Sequence, residues 1–189
     1  MKVILQKDSP ILRKICQDVP IDTIKSLKIQ KIIAEMKSAL ASQDDGVAIA
    51  APQIGYSLRI FVVSGRVPNI IKTKETMQET VQGPTLYKNS VYINPTIKKI
   101  SKEKITVEEG CLSVRYLYGK VSRAKKAMVE AWDENGKKFQ RGGVGLISQI
   151  FQHEVDHLNG VLFIDKAKYV EEIIPPKPST KNTKANEKS

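Results

Sequence analysis

The segment QHEVDHLNG, residues 152–160, contains both histidines of the 189-residue chain. His153 and His157 are four residues apart, so on an α-helix both imidazoles lie on one face and can bind the same ion. Glu154 lies about 100° around the helix axis from His153, where its carboxylate can reach a water molecule on that ion. This H-E-x-x-H spacing predicts two metal ligands and a general base.

The residues around this segment predict the helix that such a site requires. Apolar side chains recur at helical spacings from Leu146 to Leu158. Leu146 and Ile150 share the face of the two histidines, so the imidazoles are expected among apolar neighbours. Gly160 suits the position just after the last turn. The sequence therefore predicts a buried helix that carries metal ligands.

The length and composition of the chain favour a single globular domain. With 41% hydrophobic residues it can bury a full core, and no stretch approaches the roughly 18 apolar residues of a membrane span. The N-terminal apolar run at residues 3–5 is too short for a signal peptide. We expect a cytoplasmic protein without membrane contact, with one catalytic metallohydrolase domain at 1–168 and a polar, basic, disordered tail at 169–189.

The charge of the chain predicts weak electrostatic binding to polyanions. The formal net charge is +11 and the sequence pI is near 9.6, so the surface attracts polyanions loosely. The sequence contains neither an RNP-type motif nor a basic stripe interleaved with aromatic residues. Sequence-specific binding of nucleic acid is therefore not expected. The charge does allow contact with the ribosome through the basic surface and the tail.

The remaining pattern predicts more strands than helices. An amphipathic helix is expected from residue 22 or 23 to about 42, and strands are expected at 58–63, 91–95, 96–107, 127–131 and 161–164. Asn135-Gly136 predicts a hairpin turn, and residues 65–84 are expected to form a surface loop. Because the strands do not alternate with helices, we predict an α+β fold in which mixed or antiparallel sheets pack around the central metal-binding helix.

A catalytic metal site normally has three protein ligands and one open position, so two imidazoles are too few. The metzincin pattern requires a histidine three residues after Gly160, and that position is Phe163. A thermolysin-like metallopeptidase would use a downstream glutamate, and Glu171 and Glu172 keep this alternative open. Cys111 is the stronger candidate, because a thiolate with two imidazoles suits a borderline-soft divalent ion.

Three separated motifs resemble those of the peptide deformylase family. Residues 46–53, GVAIAAPQ, are similar to the family's G-x-G-x-A-A-P-Q, and residues 109–113, EGCLS, match its second motif. Residues 152–157, QHEVDH, match its third motif, Q-H-E-x-D-H. The motifs occur in the family's order and span residues 46–160. Together they are far more specific than H-E-x-x-H alone.

The resemblance implies which residues bind a metal. Cys111, His153 and His157 would hold one divalent ion per chain, with water as the fourth ligand, and Glu154 would be the general base and acid. Ferrous iron is the metal that the resemblance implies, and zinc, nickel and cobalt are alternatives.

The resemblance also implies a substrate and a reaction. The implied substrates are N-formyl-methionyl peptides, from which the enzyme releases formate. Gln53 and the backbone N–H of Leu112 would face the formyl oxygen. Val47 and Ile150 are the candidates for the pocket that holds the methionine side chain.

Two residues depart from the family's pattern. The second glycine of the first motif is Ala48 here, and its methyl group lies where substrate is expected. Most members continue the second motif with Val-Pro or Ile-Pro, whereas Val114 is followed by Arg115. A deformylase-like protein with weak or lost activity and a structural metal therefore stays an alternative.

Overall fold

The computed structural model describes residues 2–67 and 88–174. Its strands are β1 (Ala48–Ala50), β2 (Ile60–Val63), β3 (Ser90–Ile100), β4 (Lys104–Gly110), β5 (Leu117–Ala124), β6 (Lys126–Trp132), β7 (Lys138–Val144) and β8 (Val170–Glu172). Its α-helices are α1 (Leu27–Ala41) and α2 (Leu146–Leu158). The strands form a five-stranded sheet in the order β1-β2-β3-β6-β7 and a three-stranded sheet in the order β4-β5-β8, with antiparallel pairing throughout. The predicted α+β fold is confirmed.

Helix α2 lies between the two sheets. It contacts every strand of the five-stranded sheet and β5 of the three-stranded sheet. Ile150, Phe151 and Leu158 are buried on the side that packs against these strands. Because the apolar side chains recur at helical spacing, they fix how the helix is rotated, and that rotation determines where the two histidines lie.

The three-stranded sheet has an inner and an outer face. Glu109 of β4 pairs with Gly119 of β5, and both are buried on the inner face, towards α2. Glu108 pairs with Lys120, and both are exposed on the outer face. Successive residues of a strand point to opposite faces. The adjacent glutamates of β4 are therefore separated by the sheet itself.

Helix α1 covers the opposite side of β1 and β2. The hydroxyl of Ser26 caps it by accepting a hydrogen bond from the backbone N–H of Ile29 at 3.4 Å. The helix buries its apolar residues Ile29, Ile32, Ile33, Met36, Ala39 and Leu40. The predicted start at residue 22 or 23 was too early, because residues Ile21–Thr23 form a separate 3₁₀ turn.

Some strand predictions were confirmed and others were wrong. The hairpin is present as β6 and β7, and Gly136 in its turn has a φ of 76°. Residues 161–164 do not form a strand, because the carboxylate of Asp165 accepts a hydrogen bond from the backbone N–H of Leu162 at 2.8 Å and closes a 3₁₀ turn at Phe163–Asp165.

The folded part extends beyond the predicted boundary at residue 168. Strand β8, within the predicted disordered tail, pairs with β5 through Leu117↔Glu172, Tyr118↔Glu171 and Gly119↔Val170. The rest of the predicted tail, from residue 175, and residues 68–84 of the predicted loop lie outside the described residues. Within residues 2–67 and 88–174, no helix has the length and apolar character needed to cross a membrane.

Gly160 ends α2 in a way that a side chain would disturb. Its φ is 74°, and a Cβ at this position would lie 2.6 Å from the carbonyl oxygen of Arg13. We predict that Gly160→Ala lowers the free energy of unfolding by at least about 1–2 kcal/mol, because a left-handed backbone is unfavourable for alanine and the contact forces a shift. Chemical denaturation measures this difference.

Gly142→Ala in β7 is the matched control. A Cβ at position 142 meets no atom within 4 Å, and the backbone there does not have positive φ. This variant should unfold within about 0.5 kcal/mol of the parent chain. Equal destabilisation by the two substitutions would contradict the explanation.

Candidate metal centre and active site

One thiol and two imidazoles converge at the end of β4. Cys111 directly follows β4, and His153 and His157 lie on successive turns of α2. One ligand atom from each residue lies within 4.8 Å of the other two, and the sulfur of Cys111 is 3.2 Å from Nε2 of His157. The structure thus brings together the three residues that the sequence selected as metal ligands.

The donor set fits a divalent metal ion. A sulfur at about 2.3 Å and a nitrogen at about 2.1 Å from one tetrahedral ion lie roughly 3.6 Å apart, which is close to the spacing seen here. Among the described residues, no further histidine, cysteine, aspartate or glutamate belongs to the cluster. Glu171 and Glu172, the thermolysin-like candidates, are exposed in β8 instead. Three protein ligands leave one coordination position for a water or a substrate.

Glu109 fixes the orientation of His153. Nδ1 of His153 donates a hydrogen bond to the Glu109 carboxylate at 2.9 Å, so Nε2 is left for the metal. Arg123 binds the same carboxylate through Nε at 2.7 Å and a terminal nitrogen at 2.8 Å. Its other terminal nitrogen donates to Asp156 at 2.6 Å. A carboxylate behind a metal-binding imidazole sets its tautomer and its orientation.

This network also sets the charges at the site. Burial opposes ionisation of Glu109, but hydrogen bonds from Arg123 and His153 outweigh it and lower the pKa of Glu109 to about 2. Burial also opposes the charged form of His153, yet Cys111 and Glu109 raise the pKa of His153 well above its ordinary value. Cys111 and Glu109 together therefore favour the protonated form of His153. Burial lowers the pKa of His157, which keeps that imidazole neutral.

Glu154 lies beside the two histidines with one oxygen unpaired. Its side chain is buried, and Oε2 has no hydrogen-bond partner among the described residues. Burial raises the pKa of Glu154 to about 7, because the charged form loses its hydration. A carboxyl group with this pKa can both accept and donate a proton near neutral pH.

Gln53 presents its amide nitrogen to the sulfur of Cys111. It lies in a 3₁₀ turn, Ala51–Ile54, that directly follows β1, and its Oε1 accepts a hydrogen bond from the backbone N–H of Ala50 at 2.8 Å. With the oxygen held there, Nε2 points to the hydroxyl of Ser113 at 3.1 Å and to the Cys111 sulfur at 3.5 Å. The proline-broken run at 47–55 thus places an N–H donor at the metal cluster.

A cleft of about 340 Å³ leads to this cluster. Val47, Ala48 and Ile150, the residues selected for substrate contact, all line it, and so does Leu112. The catalytic candidates Gln53 and Glu154 line it as well. All candidate residues except the buried His157 therefore border one cavity.

Arg115 does not present a free charge to the cleft. Its guanidinium donates to both carboxylate oxygens of Asp45, at 2.5 and 3.1 Å, and to the side chain of Gln43 at 3.0 Å. Asp45 lines the cleft, whereas Arg115 does not. The charge that replaces the family's proline is thus neutralised by an ion pair that joins the two walls of the cleft.

Sequence reasoning missed the residues that support the site. Arg123 had no local signal, because it meets Glu109 and Asp156 only when β5 packs against α2. Asp156 lies within the QHEVDH motif, but the motif does not indicate its partner. Glu109 could have been found from strand alternation, which predicts that it faces away from Glu108 and towards the core. Ser113, which binds Gln53, lies within the EGCLS motif without a distinguishing signal.

Comparisons with known proteins show which proteins this chain resembles. A family model described as polypeptide deformylase matches residues 1–172. Peptide deformylase 2 of Clostridium acetobutylicum is 37% identical over 165 residues, which cover 87% of this chain and 94% of that protein.

Solved structures share the fold. A peptide deformylase from Legionella pneumophila aligns with a TM-score of 0.72 and 36% identity, covering 88% of this chain and 85% of the other. The Met-Ala-Ser-bound class I type b peptide deformylase from Acinetobacter baumannii aligns with a TM-score of 0.72 and 29% identity, covering 88% and 99%.

The contact between Glu109 and His153 predicts a specific effect on metal affinity. Glu109→Gln retains the shape of the side chain but removes the charge that holds the Nδ1 proton of His153. We predict a loss of about 10- to 100-fold in affinity for Zn²⁺ or Co²⁺. Competition with a chromophoric chelator measures the affinity directly.

Glu108→Gln removes the same charge from the neighbouring position on the outer face. It should change the metal affinity by less than about threefold, because its distance from the ligands leaves only a screened electrostatic effect. If both variants lose affinity equally, the hydrogen bond to His153 is not the cause.

Proposed function

The chain belongs to the polypeptide deformylase family, whose members are metal-dependent hydrolases, and we propose that it removes the formyl group from the N-terminal formyl-methionine of newly made polypeptides. The observation that carries this proposal is the meeting of Cys111, His153 and His157 in one cluster, with the buried carboxyl of Glu154 in the cleft that leads to it. Hydrolysis of the formamide bond yields formate and a peptide with a free amino group.

Cys111, His153 and His157 would hold one divalent ion. Bound there, such an ion lowers the pKa of a coordinated water towards 7 and polarises a carbonyl oxygen. Ferrous iron is the proposed metal, with zinc, nickel and cobalt as alternatives, since a thiolate with two imidazoles accepts each of these ions. Glu109 keeps the second imidazole nitrogen of His153 occupied, so the other faces the ion.

Glu154 is proposed to carry the proton. Its unpaired Oε2 accepts a proton from the attacking water, and the protonated carboxyl then donates it to the nitrogen of the leaving amine. The pKa of about 7 supports both steps, because neither form of the side chain is strongly disfavoured. Glu154 follows His153 directly in α2, which keeps it at the metal without using it as a ligand.

Gln53 and Leu112 are proposed to stabilise the negative charge that develops on the formyl oxygen. The Gln53 amide is held in place through its Oε1, so its N–H group needs little reorganisation during the reaction. Leu112 directly follows Cys111, so its N–H group shares a peptide unit with the carbonyl of Cys111, which accepts a hydrogen bond from the backbone N–H of Val114 at 3.0 Å. A fixed peptide unit presents its N–H group in a constant direction.

The cleft is proposed to bind the N-terminal part of a peptide. A relative binds Met-Ala-Ser in a crystal structure, and Val47, Ala48 and Ile150 offer apolar surface beside the metal cluster of this chain. The methyl group of Ala48 is accommodated within β1, where its side chain is mostly buried. We also propose that the protein is cytoplasmic and that its basic surface is weakly attracted to the ribosome.

Replacing Glu154 tests the proton transfer. We predict that Glu154→Ala lowers kcat for a formyl-Met-Ala-Ser peptide by about 10² to 10⁴. The metal content should stay the same, because Glu154 is not a ligand. Formate release and metal analysis of the same preparation measure the two quantities. Turnover close to that of the parent chain at equal metal content would rule out the assigned role.

Replacing Gln53 tests the stabilisation of the oxyanion. We predict that Gln53→Ala lowers kcat by about 10² to 10³ and changes KM much less, because the N–H group acts mainly on the transition state. Gln149→Ala is the matched control, since Gln149 also lines the cleft but donates to the backbone carbonyl of Glu108 at 2.8 Å. It should cost less than about tenfold. A similar loss of kcat in both variants would refute the specific role of Gln53.

A further inference from the structure

We propose that the outer face of the three-stranded sheet binds the part of the polypeptide substrate that lies beyond its first residues. We call this surface the peptide shelf, and it is lined by Glu108, Tyr118, Gly119, Lys120, Tyr169, Val170, Glu171 and Ile173. The proposal rests on the proposed function, and it extends the substrate from a short formylated end to a longer chain.

The peptide shelf continues directly from the catalytic cleft. Glu108 and Tyr118 line both cavities, so they form the border between them. The shelf adds about 480 Å³ to the 340 Å³ of the cleft. A peptide whose formyl group reaches the metal ligands leaves the cleft at its mouth, and the shelf lies at that mouth.

Strand pairing places most side chains of the shelf on the outer face, while the paired residues Gly119 and Val170 alternate to the inner face. Glu108 lies opposite Lys120, and Tyr118 lies opposite Glu171, while the alternate residues of β4 and β5 point inward. The same alternation places Tyr169 and Ile173, two residues on either side of Glu171, on the outer face. The inner face of this sheet holds the carboxylate of Glu109, so one sheet serves both surfaces.

The peptide shelf exposes apolar side chains that are not part of the buried core. Tyr169 is 77% exposed and Ile173 is 52% exposed. Clustered exposed apolar side chains commonly mark a binding surface. The charged residues of the shelf have both signs, with Glu108 and Glu171 against Lys120. The expected occupant is therefore an extended peptide with apolar side chains.

Backbone hydrogen bonds hold the shelf in place before any peptide binds. The N–H of Lys120 donates to the carbonyl of Tyr169 at 3.2 Å, and the N–H of Ile173 donates to the carbonyl of Tyr116 at 3.0 Å. Gly119 allows this close approach, because a Cβ there would lie 2.5 Å from the carbonyl oxygen of Tyr169. Because the surface is already ordered, little conformational entropy is lost when a peptide binds to it.

Three formylated peptides separate the shelf from the cleft. They are formyl-Met-Ala-Ser, the same peptide extended by three glycines, and the same peptide extended by three leucines. We expect the leucine peptide to have a kcat/KM at least about fivefold above that of the tripeptide, mainly through a lower KM. The glycine peptide should stay within twofold of the tripeptide, because it adds length without apolar side chains.

Substitutions on the shelf then test the location. Tyr169→Ser and Ile173→Ser leave the backbone pairing intact, and neither residue lines the catalytic cleft. Each should reduce the advantage of the leucine peptide to less than about twofold, with tripeptide hydrolysis unchanged. Leu27→Ser, which replaces a residue 91% exposed at the start of α1, is the control and should keep the full advantage.

Several outcomes would overturn the peptide shelf. They are equal kcat/KM values for all three peptides, an advantage of the leucine peptide that survives both shelf substitutions, or shelf variants that change only thermal stability or oligomeric state. Failure to hydrolyse even the tripeptide would instead refute the proposed function. Isothermal titration calorimetry with the same peptides would then test whether the shelf binds peptide, because binding there requires no turnover.

Discussion

The site depends on a buried ion pair between Glu109 and Arg123. Both side chains are at most 4% exposed, and their carboxylate and guanidinium groups meet in two hydrogen bonds of 2.7 and 2.8 Å. Removing one partner of such a pair leaves the other charge buried and typically costs about 3–5 kcal/mol. The same carboxylate accepts a hydrogen bond from Nδ1 of His153, so the pair couples the stability of the fold to the orientation of a candidate metal ligand.

Strand register controls this pair. A slip of one residue in β4 would exchange Glu109 for Glu108 and turn the supporting carboxylate outward. In the observed register, Glu109 supports the metal ligands from the inner face, while Glu108 borders both the cleft and the peptide shelf. Two consecutive acidic residues therefore act in different environments, and the substrate's reacting end and its following residues would meet opposite faces of one sheet.

Ala48 and Arg115, the two residues that depart from the family's first and second motifs, are accommodated by local contacts. Arg115 is paired with Asp45 and Gln43, so the turn after Cys111 is connected to the segment that forms the other wall of the cleft. Ala48 belongs to β1, where it pairs with Val63 and borders the cleft beside Val47. Neither residue belongs to the cluster of Cys111, His153 and His157.

The sequence by itself determined the fold class and selected three candidate metal ligands that the structure brings together. Helical spacing placed His153 and His157 on one face, because that pattern depends only on the repeat of the backbone. Cys111 was selected by the chemistry of a thiolate with two imidazoles and by the resemblance of EGCLS to a family motif. The short turn at Phe163–Asp165, the strand β8 and the start of α1 were missed or displaced, because local hydrogen bonds and pairing with distant strands overrode weak propensities. The contacts of Arg123 with Glu109 and Asp156, the paired charge of Arg115 and the continuity of cleft and shelf were decided only by the tertiary structure. Each joins residues that are far apart in the chain, and no local pattern records which distant side chains will meet once the sheets pack against α2.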